Sequence, residues 1–186
     1  MKARLRRKKK PRLAVLQIDG VIDDSGDEPI TRRVSAALDH AKKVKVCALL
    51  MRINSPGGTV GATQEIYAAV TKFRCETNVP VIASMGDVAA SGGVYIALAA
   101  ERILANAGTV TGSIGVIIRS RNLSQLFNKV GVETQVIKSG QFKDTLTAHR
   151  EMTEEERDML QSLIDDSYEQ FVDAVMRGRN LNPMKV

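Results

Sequence analysis

The chain has no tryptophan, and aromatic residues make up only 4% of its 186 positions. Surfaces that grip single-stranded nucleic acid stack bases on aromatic rings, so this scarcity argues against such a platform. Cysteine is rarer still, with Cys47 and Cys75 alone. Two cysteines build neither a disulfide framework nor a metal-ligand set. Both lie in apolar, periodic segments, which predicts buried thiols. Long hydrophobic runs are missing too. "LAVLQI" (13–18) spans six residues, contains Gln17 and runs into Asp19. It is too short for a membrane span or for the apolar region of a secretory signal.

Acidic residues are absent from the first twelve positions, "MKARLRRKKKPR", which hold eight Lys or Arg. Of the 27 basic residues, 19 then remain against 21 acids, so the formal charge of +6 belongs to the tail and the body is near −2. Residues 1–12 are expected to form a disordered basic tail. Such a tail suits anionic lipid, where each basic residue near the surface is worth roughly 1 kcal/mol. Nucleic acid would attract it through phosphate neutralisation.

What is present is an alternation of short apolar runs and amphipathic segments. Strands are predicted at 12–18, 46–53, 80–85, 102–105, 114–119 ("IGVIIR") and 134–138 ("TQVIK"). The run "VCALLMRI" (46–53) reads as a strand covered on both faces. Helices are predicted at 31–44, with Val34, Ala37, Leu38 and Ala41 on one face, at 59–75, after Ser91, and at 122–130. A last helix opens on a Thr153/Glu156 capping box. Leu160, Leu163, Ile164, Ser167, Tyr168, Phe171, Val172 and Val175 follow at helical spacing. This order implies an α/β fold with a mainly parallel sheet flanked by helices.

Such a sheet binds ligands at the carboxyl ends of its strands. Three segments rich in small residues fall there: "NSPGG" (54–58), "ASGG" (90–93) and "GTVTGSIG" (108–115). Ser91 stands at the mouth of a predicted helix with only Ala and Gly beside it. A serine hydroxyl becomes a nucleophile once a base takes its proton, and small neighbours let a substrate backbone approach. "AASGG" resembles a nucleophile elbow with Ala in the first Gly position. The amide of Gly92 and one from the Gly57–Gly58 pair are candidate oxyanion donors. Three residues are candidates for the base: His40 in a charged helix, His149 in a polar loop, and Lys143 in "KSGQFKDTL".

"RINSPGG", "AASGGVYIA", "GTVTGSIGV" and "KSGQFKD", in that order and spacing, resemble the signal peptide peptidase A family, the S49 serine proteases. Their fold is shared with Clp protease and crotonase. The resemblance covers roughly residues 12–182 and is nearest the short cyanobacterial and plastid-type members. It implies that Ser91 is the nucleophile and Lys143 the general base. Ser113 then orients the lysine, and Gly58 joins Gly92 as an oxyanion donor. It implies no metal or other cofactor. The implied substrates are remnant signal peptides and other apolar, unfolded chains. The implied assembly is a homo-oligomer whose neighbouring subunits share each site. No nucleic-acid partner is implied.

The sequence departs from the family in two places. Many bacterial members begin with a membrane helix, where this chain has its basic tail. That suggests a bacterial or plastid protein in peripheral membrane contact through residues 1–12, or a soluble form. Members also usually continue past the helix ending near "GRNL", so residues 13–186 are expected to be a peptidase domain shortened at its C-terminus. Two other readings compete. A crotonase-type acyl-CoA enzyme would need acids, of which Glu65 and Asp87 are nearest the motifs. A catalytically silent module would bind membrane or nucleic acid through its tail.

Overall fold

Aliphatic runs punctuated by glycine-rich breaks fold into strands whose carboxyl ends carry those breaks. The computed structural model describes residues 10–181. Of the basic segment 1–12, only Lys10, Pro11 and Arg12 fall within it, exposed and in no helix or strand. The described residues form two compact units, 10–114 with 171–181, and Gly115–Gln170.

The first unit runs β1 (Leu13–Asp19), α1 (Ile30–Val44), β2 (Ala48–Ser55), α2 (Val60–Thr77), β3 (Val81–Ala90), α3 (Gly92–Ala97), β4 (Arg102–Leu104) and β5 (Val110–Gly112). The sheet order is β1-β2-β3-β4, and β5 pairs with β3 beyond β4. All pairings are parallel. Parallel neighbours need crossover connections, which α1 and α2 supply. β1 to β4 form where the sequence predicts strands, and the sheet is parallel as expected.

Side chains alternate across a strand. Leu49, Met51, Ile53 and Ser55 of β2 are buried on one face. They share one core with Val34 and Leu38 of α1, Ile66, Val70 and Phe73 of α2, and Ile96 of α3. The opposite face is more open, contrary to the expectation of a strand covered on both sides. Leu50 and Arg52 are half-buried there, and Leu13 and Val15 of β1 are 59% and 57% exposed. Arg52 donates through Nη1 to Ser84 Oγ at 3.1 Å and to the Met85 carbonyl at 2.9 Å.

Three further expectations are corrected. Cys47 and Cys75 are exposed. Cys47 precedes β2, and on α2 the period that buries Ile66, Val70 and Phe73 turns position 75 outward. Ala37 is exposed, at the edge of the stripe formed by Val34, Leu38 and Ala41. Residues 114–119 and 134–138 form no strand. β-branched runs supply propensity, but strand backbone also needs a ladder partner for its N–H and C=O groups. The strand that does form here is β5, four residues earlier than predicted.

The second unit holds α4 (Ser124–Val130) and the start of α5 (Glu154–Arg179). The capping box is reciprocal. The Thr153 amide donates to Glu156 Oε2 at 2.9 Å, and the Glu156 amide to Thr153 Oγ1 at 3.2 Å. From Phe171 onward α5 belongs to the first unit. There Phe171 packs on Tyr95 with ring centroids 5.0 Å apart, and Tyr95 meets Tyr67 edge-on at 5.1 Å. On the expected apolar face of α5, Phe171 and Val175 are buried, whereas Leu163 and Tyr168 are exposed.

Leu49 is 2% exposed at the centre of the sheet. Leu49→Ala is expected to cost about 2–5 kcal/mol of stability, read from the urea midpoint.

Candidate active site

Ser91 occupies the single residue between β3 and α3. Its backbone takes φ 51° and ψ −117°, a conformation that L residues rarely adopt. Two hydrogen bonds fix it. The Ser91 amide donates to the Gly112 carbonyl at 2.9 Å, and the Ser91 carbonyl accepts from the Tyr95 amide at 3.0 Å. Strand, strained serine and helix follow one another as in a nucleophile elbow.

The turn after β2 lies directly against this serine. Gly57 has φ 102°, and a Cβ there would stand 2.8 Å from Ser91 Cβ and 2.7 Å from the Gly92 nitrogen. A Cβ on Gly58 would fall on the backbone of Ile22. Only glycine fits either place. Most polar backbone groups of this turn are committed. The Gly57 amide donates to Ser55 Oγ at 3.1 Å. The Gly57 carbonyl accepts from the Ile22 amide at 3.0 Å, and the Thr59 amide donates to the Ile22 carbonyl at 2.8 Å. The Gly58 amide has no acceptor among these bonds. Its nitrogen lies 3.3 Å from the point where a Gly92 Cβ would sit. The Gly57–Gly58 turn is therefore packed closely against Ser91 and Gly92.

Ser113 directly follows β5, whose Gly112 pairs with Ala90 and binds the Ser91 amide. It is exposed, with φ 55°. The fold thus gathers Ser91, Gly92, Gly58 and Ser113 at one end of β3. Lys143 belongs to the second unit, where it is exposed in a turn and its amide donates to the Gly140 carbonyl at 3.2 Å. His40 is exposed on α1. His149 Nδ1 meets Thr147 Oγ1 at 2.5 Å. Glu65 is exposed on α2 and Asp87 on β3, and neither is in an ion pair among the described residues.

Sequence reasoning did not single out Ser55. Its side chain is wholly buried and holds the glycine turn. The Ser-x-Gly spacing is the signal, since a serine hydroxyl readily accepts from the amide two residues on.

The turn carrying Lys143 is tied down by charge. Asp144 accepts from Lys138 Nζ and from Arg150 Nη2, the latter at 2.9 Å. Arg150 also reaches both oxygens of Glu156, which is 2% exposed at the head of α5. Hydrogen bonds from Arg150 and then Lys138 hold the Asp144 carboxyl well below its usual range. Arg150 and then the Thr153 amide pull Glu156 down to about 2. Among the described residues no group of three or more His, Cys, Asp or Glu is arranged to hold a metal ion, and no helix is long and apolar enough to cross a membrane.

This is an α/β protein of the Clp protease-like class, with a strained serine at its strand-to-helix junction. The Clp protease family model matches residues 14–111. The model of peptidase family S49 matches residues 74–186, and the chain belongs to that family. A Synechocystis sp. protein, named provisionally as a protease, is 47% identical over 94% of this chain and 61% of its own length. The chloroplastic serine protease SPPA of Arabidopsis thaliana is 39% identical over 76% of this chain and 20% of its own length. The chain spans less than two thirds of either relative. Among solved structures, the 1510-N membrane-bound stomatin-specific protease, a lysine-to-alanine mutant in complex with a substrate peptide, matches at a TM-score of 0.51. That match has 25% identity and covers 60% of this chain and 48% of the other.

Two predictions follow from the site. Glycine accepts the Ser91 backbone conformation without strain. Ser91→Gly is therefore expected to gain about 1 kcal/mol net in thermal unfolding, whereas Ser91→Ala gains nothing. The second concerns pH. Asp144 and Glu156 have lowered folded pKa values, so their stabilisation is complete above the ordinary carboxylate range and is lost as pH falls from about 4 toward about 2. Amide exchange over residues 138–157, corrected for intrinsic rates, is expected to stay slow down to that window and to quicken within it. Arg150→Gln is expected to quicken it at neutral pH.

Proposed function

We propose that the chain is a serine endopeptidase domain, residues 13–186, that cleaves remnant signal peptides and other apolar, unfolded chains. The observation that carries this reading is the close packing of the Gly57–Gly58 turn against Ser91 and Gly92, with the serine in strained backbone at the end of β3. Membership of family S49 supports the peptidase class.

Neutral Lys143, oriented by Ser113, takes the proton from Ser91 Oγ. Ser91 attacks a peptide carbonyl, and the Gly58 and Gly92 amides stabilise the oxyanion. The C–N bond breaks as the lysine returns its proton to the leaving amine, and an ester to Ser91 remains. Water, deprotonated by the same lysine, hydrolyses that ester and restores Ser91. Preformed donors of this kind are typically worth about 10²–10³ in rate each.

Ser91 and Lys143 belong to different compact units. In this reading the two meet in a homo-oligomer that shares its sites between neighbouring subunits. Residues 1–12 supply peripheral contact with anionic membrane, where such substrates accumulate.

The test is hydrolysis of casein by the wild type, Ser91→Ala and Lys143→Ala, with assembly followed by light scattering. The expected result is cleavage by the wild type alone, with all three equally assembled. Mixing the two inactive variants is expected to restore part of the activity if subunits share sites. Equal cleavage by all three proteins would refute the assignment.

A further inference from the structure

β2 and β3 pair residue for residue from Leu49 with Val81 to Ile53 with Met85, and then the register jumps. Ser55 pairs with Ala89, so β2 advances two residues while β3 advances four. The surplus lies at Gly86–Val88, just ahead of the segment that delivers Ser91. A bulge of this kind interrupts the ladder and re-aims the strand beyond it.

Two side chains from outside β3 satisfy backbone groups that the bulge displaces. Asn54 Oδ1, from β2, accepts from the Val88 amide at 3.1 Å. Thr109 Oγ1, just before β5, donates to the Gly86 carbonyl at 2.8 Å and accepts from the Asn106 amide at 3.0 Å. The fit around Asn54 is close, since a Cβ on Gly86 would stand 2.7 Å from Asn54 Oδ1. From Val88 onward, β3 pairs with β5 through Val88–Val110, Ala89–Thr111 and Ala90–Gly112. Thr111 Oγ1 adds a bond to the Ala89 carbonyl at 2.9 Å. The next contact along the chain is the Ser91 amide on Gly112. Backbone strain such as that at Ser91 persists only where the surroundings over-determine it.

The geometry points to Asn54 and Thr109 as positioning residues that hold the Gly86–Val88 bulge in place and so set the backbone conformation and aim of Ser91. The inference rests on the reading of Ser91 as nucleophile. Neither side chain bonds to Ser91 itself, so both act through the strand.

The experiment measures kcat, KM and melting temperature with a quenched fluorescent peptide for Asn54→Ala, Thr109→Val and Thr109→Ser, with Ser91→Ala alongside. Crystal structures of the two Thr109 variants are determined as well. Misplacing a reacting group by about 1 Å can cost about 10²-fold. Asn54→Ala and Thr109→Val are expected to lose about 10- to 100-fold in kcat with KM within about twofold. Thr109→Ser, which keeps the hydroxyl, is expected to recover most of the loss. In the Thr109→Val crystal, Ser91 is expected to leave positive φ or to lose its bond to Gly112. An unchanged kcat in Asn54→Ala and Thr109→Val overturns the inference. So does a Thr109→Ser as impaired as Thr109→Val, or an unmoved Ser91 in the Thr109→Val crystal. Activity retained by Ser91→Ala defeats the nucleophile reading itself. Loss of activity in Ser91→Ala beside wild-type rates in the other variants defeats the positioning claim alone.

Discussion

The contact between the Gly57–Gly58 turn and the Ser91–Gly92 peptide is the constraint on which the site depends. Two chain segments approach there more closely than any side chain allows. The approach is held from behind by Ile22, which bonds to the turn on both sides of Gly58. It is held from within by the buried Ser55 hydroxyl. Loosening either tie would let the turn recede from Ser91 and Gly92. A parallel sheet gives this arrangement its place, because β2 and β3 end side by side and their following turns must meet.

The strain at Ser91 belongs to the same construction. A serine at φ 51° raises the energy of the folded chain, and the surrounding bonds hold it. Its amide is spoken for by β5 and its carbonyl by α3. The residue is thereby fixed at the corner between β3 and α3, with glycine on one side and alanine on the other. The chemistry proposed for this corner needs a base as well. Lys143 sits in a turn whose next residue, Asp144, is gripped by Lys138 and by an arginine that also holds the buried Glu156. Charge pairing there does for the lysine turn what glycine packing does for the serine.

Much of this was legible in the sequence, and the reasons differ from place to place. The sheet was readable because its strands are aliphatic runs ended by glycine or proline, and α5 because its capping box forms as spelled. The motif residues were readable as a family resemblance. Other features resisted. The β-branched runs at 114–119 and 134–138 have strand propensity, yet pairing partners are a tertiary matter that local pattern does not encode. Cys47 and Cys75 were expected inside because their neighbours are apolar, but Cys47 lies just before β2 and the phase of α2 turns Cys75 outward. The bulge in β3 was invisible for a related reason. Its two surplus residues leave Ala89 buried on the same phase as Met85, so the strand resumes in step and the register against β2 reveals them.

The most direct test is a crystal structure of the protein soaked with a peptide aldehyde. The account predicts continuous density from Ser91 Oγ to the aldehyde carbon, with the hemiacetal oxygen in hydrogen-bond range of both the Gly58 and Gly92 nitrogens, about 2.7–3.1 Å. An adduct on another residue, or a Ser91 adduct whose oxygen points away from those two amides, would contradict it.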